Sequence, residues 1–227
     1  MTGSSARGQA RFWGALMIAV LLVVAVIASI AIGSRTLSPS EVWDALWATK
    51  TAHSSDAVGI VQDLRLPRTL LGIVAGLALG AAGALSQGHT RNPMAEPGLL
   101  GVNAGAACAV VTGVYLADIS SPIQYMVFGL LGAAAAVALV FVLSVLAGRM
   151  AGAAGASPMT LVLAGVGINA VLLAVTSAIV LTDSTSLDAW RFWNVGSING
   201  RGFDVLWAAV PFVAAGLVLA VAGGFSL

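Results

Sequence analysis

Six apolar stretches, near residues 12–33, 69–88, 98–117, 123–147, 158–182 and 203–224, carry no Asp, Glu, Lys, Arg or His near their middle. A helical run of about twenty such residues matches the hydrocarbon thickness of a bilayer, and a backbone in lipid must satisfy its own hydrogen bonds, which the helix does. The 227-residue chain is 59% hydrophobic and 8% charged, far from the roughly 25% charged residues of soluble domains. The sequence therefore predicts an all-α polytopic transmembrane helix bundle. The first stretch follows Arg7 and Arg11 and places Ser29 and Ala31 at the spacing of a cleavage site. Its apolar core, about 22 residues, exceeds the 7–15 of a signal-peptide h-region, so it reads as a retained span.

What is missing from the spans narrows the function. Intramembrane ionisable groups serve as proton relays and counter-ions, and their absence here argues against a proton-coupled carrier. His53 and His89 lie outside the span centres, and no His/Cys/carboxylate cluster offers ligands for a metal or haem. No cofactor and no enzymatic chemistry are expected. The lone Cys108 sits in an apolar run, as a small buried hydrophobe does. The only lysine, Lys50, belongs to no phosphate loop, so nucleotide hydrolysis would require another subunit. The ten basic residues are scattered, with a formal net charge of +1, which leaves no nucleic-acid footprint.

One sizeable polar segment, residues 34–68, separates the first two spans. Within it Ser38, Pro39 and Glu41 form a capping box with proline at the first helical position. The short helix they start carries Trp43 and Trp47 on one face, suited to the membrane interface. In the second span Gly72, Gly76 and Gly80 recur every four residues, a row that lets another helix approach closely. Packing within the chain and a seam between two copies both satisfy it. Of the polar residues inside spans, Asn169 wants a partner in hydrocarbon; it either bonds between helices or lines a wet pathway.

Between the second and third spans runs "RNPMAEPGLLGV", residues 91–102. Pro93 and Pro97 remove two N–H donors and bias Asn92 and Glu96 away from helix, so the backbone must open into a loop. The positive-charge count disfavours a cytoplasmic N-terminus: four arginines would lie inside, at positions 7, 91, 149 and 11, against six basic residues outside.

Residues 65–106, "RLPRTLLGIVAGLALGAAGALSQGHTRNPMAEPGLLGVNAGA", resemble the FecCD family, the permease subunits of ABC importers for iron-siderophores, haem and cobalamin. "LSPSEVW", "LVLAGVGIN" and "WNVGSING" extend the likeness over the chain from about Leu37. Met94 stands where leucine is commoner, a volume-conserving change. The resemblance implies one transmembrane permease domain over 1–227, with 34–68 as an external loop, about six spans of an expected ten, and a multi-pass position in the cytoplasmic membrane. It implies a cytoplasmic N-terminus, overruling the charge count. The expected partners are ATP-binding subunits, an extracytoplasmic substrate-binding protein and a second permease copy, identical or not.

Residue by residue, Arg65 and Arg68 of "RLPR" would receive carboxylates of the binding protein, which a guanidinium pairs with bidentately. Asn92, Met94 and Ser157 would narrow the cytoplasmic end of the pathway, and Asn169 would line it. The family's helix that couples to the ATPase follows the sixth span, and this sequence stops at "AGGFSL". The expectation is a fragment or truncated product, and the competing reading is a membrane protein that packs with partners without transporting.

Overall fold

In a computed structural model, residues 3–49, 56–90, 92–152 and 155–224 are described. Lys50, His53 and Arg91 lie outside them. The described residues form helices, turns and loops, with no strand among them. In chain order the helices are α1 (Gly3–Ala31), α2 (Pro39–Trp47), α3 (Asp56–Gly59), α4 (Leu66–Thr90), α5 (Val102–Ala117), α6 (Pro122–Met150), α7 (Pro158–Thr182), α8 (Ser184–Val195) and α9 (Phe203–Gly224). A π-turn over Ile60–Arg65 joins α3 to α4, and a 3-10 turn over Pro97–Leu100 precedes α5.

Among the described residues, five helical segments are long and apolar enough to cross a membrane: Arg11–Ala31, Asp56–Gly88, Pro122–Met150, Pro158–Thr182 and Phe203–Gly224. The third expected span differs. Its first residues are spent on the 3-10 turn, leaving α5 with 16 residues, roughly 24 Å at 1.5 Å per residue. This helix buries Ala104, Gly105, Cys108, Val110, Val111, Gly113 and Val114 against its neighbours, so protein rather than lipid sets its length. A helix absent from the sequence reading, α8, starts where the Asp183 side chain accepts the Ser186 N–H at 2.6 Å.

The chain divides into two compact units, Met1–Ile73 with Ile198–Leu206, and Val74–Ser197 with Trp207–Leu227. In the first, Ala45, Val58 and Val61 form a small core, flanked by Ile30, Leu37 and Leu46. The capping box forms as the sequence predicts: the Ser38 hydroxyl accepts the Glu41 N–H, and the Glu41 carboxylate accepts the Ser38 N–H at 2.7 Å. Those bonds to Ser38 hold the Glu41 carboxyl below its ordinary pKa. At the other end of α2 the Gln62 amide donates to the carbonyls of Ala45 and Ala48, at 2.8 and 2.9 Å. With both ends capped, a nine-residue helix too short to stand alone in water is held in place. Trp43 and Trp47 meet edge to face, 6.0 Å between ring centroids, and both are exposed.

In the second unit α5 packs on α6, α7 and α8. The α5–α6 crossing is backbone to backbone: a Cβ added at Gly105 would run into the Ala136 methyl and the Gly132 carbonyl, and one at Gly132 into Ala109 and the Gly105 carbonyl. Trp193 of α8 seats its indole on bare Gly129, 2.8 Å from where a Cβ would stand. For the Gly72-Gly76-Gly80 row, where packing within the chain and a seam between two copies are both open, a Cβ at Gly76 or Gly80 meets nothing within 4 Å, and one at Gly72 only the Ile198 methyl at 3.7 Å. No described neighbour presents small residues to α4 in the way Gly132 and Ala136 present them to Gly105.

Candidate functional site

Two places gather the residues singled out in the sequence. The first is the corner where α1 ends and α4 begins. Arg65 is the last residue of the π-turn, and Arg68 follows one helical turn on. The Arg65 guanidinium donates to the carbonyls of Ile30 and Ala31, both at 2.8 Å, and to that of Arg35. It is 4% exposed. In the chain by itself three of its five donors are thus committed to carbonyls. Arg68 is half-buried and gives one hydrogen bond, to the Ser29 carbonyl at 3.2 Å. Beside it the Thr69 hydroxyl donates to the Arg65 carbonyl and pairs with the Ser29 hydroxyl, each at 2.8 Å.

The second place is the loop between α4 and α5. Asn92 closes it locally, its side-chain oxygen accepting the Met94 N–H at 2.9 Å and its carbonyl the Ala95 N–H at 3.1 Å. Ala95 turns inward and is buried, while Met94 stands 84% exposed at the tip. Gly101 ends the 3-10 turn at φ +84°, a left-handed conformation natural to glycine. Across the unit, the Asn169 amide of α7 donates to the Gly98 carbonyl at 3.3 Å. Of the two readings open for Asn169, the structure shows the hydrogen bond between elements.

A cavity of about 270 Å³ lies against this loop, lined by Asn92, Ala95, Glu96, Leu100, Pro158 and Met159 among others. The loop and the start of α7 therefore line one cleft. Ser157 itself is occupied as the N-cap of α7, accepting the Thr160 N–H at 3.1 Å, while Thr160 Oγ1 accepts the Ser144 hydroxyl at 2.7 Å. Met94 is absent from the lining. Met159, which the sequence reading passed over, is present and exposed. The "SPMT" capping pattern at the start of α7 was the signal that could have found it, because it fixes Met159 in the first turn. Among the described residues no group of His, Cys, Asp and Glu could hold a metal ion.

Comparison with known proteins decides the family. The FecCD transport family profile matches residues 21–227. The chain belongs to this family. It is 43% identical over 198 residues to the ferric enterobactin transport system permease protein FepD of Escherichia coli (strain K12), covering 87% of this chain and 57% of that protein. To the probable siderophore transport system permease protein YfiZ of Bacillus subtilis (strain 168) it is 37% identical, covering 88% and 57%. To the cobalamin import system permease protein BtuC of Halobacterium salinarum it is 36% identical, covering 72% and 42%. The chain thus spans about half the length of these relatives. In fold it matches an inward-facing metal-chelate type ABC transporter with a TM-score of 0.70 at 24% identity, over 90% of this chain and 60% of that one. As a FecCD member with five membrane-length helices, it is a multi-pass membrane protein.

Proposed function

We propose that the chain is the membrane-spanning permease subunit of an ABC importer that carries an iron-siderophore, or a related haem or cobalamin, across the cytoplasmic membrane. An extracytoplasmic binding protein would deliver the substrate, ATP-binding subunits would drive the cycle, and a second permease copy would complete the pathway. The observation that carries this reading is the loop of residues 92–101, tied to α7 through Asn169 and sharing a cleft with the start of α7. Irregular backbone at membrane depth is tolerated where protein or a wet cavity covers it, and a loop pinned at Gly98 yet exposed at Met94 has the fixed base and free tip of a gate.

In this reading Asn92, Met94 and the Ser157 turn narrow the cytoplasmic end, and Met159 joins them. A flexible methionine closes a pore while adapting to substrates of different shape. Asn169 serves the pathway by holding the loop. On the outer face Arg65 and Arg68 of "RLPR" would receive carboxylates of the binding protein. The relatives' names, which include enterobactin, siderophore and cobalamin systems, support the substrate class.

The test is uptake of radiolabelled ferric siderophore in cells whose own permease gene is deleted. Restoration by this permease, lost on Met94→Trp with binding-protein docking retained, is the expected result. Wild-type uptake in the Met94→Trp variant removes Met94 from the gate. Docking without any stimulation of ATP hydrolysis favours the competing reading, a chain that packs with its partners without transporting.

A further inference from the structure

We infer that Ser144 and Gly148 of α6 are positioning residues for the gate proposed above: they tie the turn before α7 to α6, so that Ser157, Met159 and the last turns of α6 shift as one jaw. A serine inside a helix usually bonds back to a carbonyl of the preceding turn. Ser144 is fully buried and reaches instead across to α7, its hydroxyl donating to Thr160 Oγ1 at 2.7 Å. One turn further along the same face of α6, Gly148 leaves room for the connecting turn itself: a Cβ there would run into the Gly155 carbonyl.

The cap of α7 is complete without Ser144. Thr160 Oγ1 accepts the Ser157 N–H at 2.8 Å and donates to the Ser157 carbonyl at 2.9 Å, while Ser157 Oγ accepts the Thr160 N–H at 3.1 Å. A hydroxyl has one hydrogen and two lone pairs, so the bond from Ser144 takes the last site on Thr160 and adds a link to α6 rather than a capping bond. Two anchors a helical turn apart hold the connection against both sliding and swivelling, which one would not. Met159 stands in the first turn of α7 and lines the cleft, so whatever holds Ser157 and Thr160 sets where Met159 lies. The loop of residues 92–101 is attached more lightly, reaching α7 through the single Asn169 bond to Gly98 at 3.3 Å, with Met94 84% exposed at its tip. The inference rests on the gate reading for its purpose, while the tie itself is measurable without transport.

The experiment measures distances between spin labels on two cysteine pairs, Met150→Cys with Met159→Cys and Met94→Cys with Met159→Cys, with Cys108 replaced by Ala, in the permease assembled with its ATP-binding subunits in lipid nanodiscs. All three methionines are exposed and can carry a label without repacking. The tie predicts that the Met150–Met159 distance is the same without nucleotide and with ATP and vanadate, while the Met94–Met159 distance changes. A Met150–Met159 distance that changes as much as the other overturns it. Two fixed distances would sink the gate reading, and the tie is then decided by Ser144→Ala. Loss of the bond to Thr160 should broaden the Met150–Met159 distribution and quicken amide exchange at Ser157 and Thr160 roughly fivefold, with residues 105–109 of α5 unchanged. Exchange unmoved at Ser157 and Thr160 refutes the tie, and exchange quickened equally in α5 makes Ser144 a packing residue without a positioning role.

Discussion

On α5 and α6, Gly105 and Gly132 approach so closely that a side chain on either would strike the other's carbonyl, whereas on α4 a Cβ at Gly76, Gly80 or Gly83 meets nothing within 4 Å. Both faces carry small residues at helical spacing, and in lipid such rows permit close approach without commanding it. The difference lies in the neighbour. Gly105 and Ala109 face Gly132 and Ala136, so two small-residue rows interlock, while α4 offers its row to no comparable partner among the described residues. Small-residue spacing is thus a statement about one helix, and closure is a property of two.

The largest test of this contrast is Gly132→Leu. Overpacking a backbone crossing should cost about 3 kcal/mol, seen as loss of monodisperse protein or a sharply lowered melting temperature in detergent. The same exchange at Gly80 should be tolerated, and equal damage at both sites would erase the contrast. Next, Asn169→Ala removes the bond to the Gly98 carbonyl and should cost about 1 kcal/mol. Faster amide exchange at residues 98–101, with α5 and α6 unchanged, is the signature. A smaller effect of opposite sign is expected at Gly76→Ala and Gly80→Ala: alanine favours helix over glycine by roughly 0.5–1 kcal/mol, so each should leave stability unchanged or slightly raised. Clear destabilisation would show that the α4 row is covered after all.

Acidification separates the glycine crossing from the capped helices. Glu41 and Asp183 accept hydrogen bonds at the N-termini of α2 and α8, and both carboxyls are held below their ordinary values of 4.5 and 3.8. For Asp183 hydrogen bonding by Ser186, whose N–H it accepts at 2.6 Å, is the leading cause. A depressed carboxyl stabilises the fold above its unfolded pKa and loses that contribution as pH falls through the folded value. Amide exchange in α2 and α8 should therefore quicken as pH falls below about 4, after correction for the intrinsic rate, while the α5–α6 crossing, which holds no titrating pair, stays protected. Parallel loss in both regions would contradict this division.

Much of this was legible in advance. The five long spans follow from apolar runs, the α2 cap from Ser38, Pro39 and Glu41, and the loop at residues 92–101 from Pro93 and Pro97. The sequence reading missed what depends on distant partners. The length of α5 was misjudged because its apolar residues face protein rather than lipid. Helix α8 escaped because a polar segment became ordered around one indole on Gly129 and one N-cap at Asp183. The hydrogen bonds of Arg65 were hidden because the carbonyls they reach belong to residues 30–35 positions upstream, and an exposed arginine and a buried one look alike in sequence.

The central claim is that the loop of residues 92–101 and the start of α7 form a moving gate across their shared cleft. The direct measurement is ferric-siderophore uptake by an Asn92→Cys/Met159→Cys permease, with Cys108 replaced by Ala, before and after bridging with a short bis-maleimide. The account predicts that the unbridged variant transports and that bridging reduces uptake to background while binding-protein docking persists. Full uptake through a completely bridged permease would contradict it.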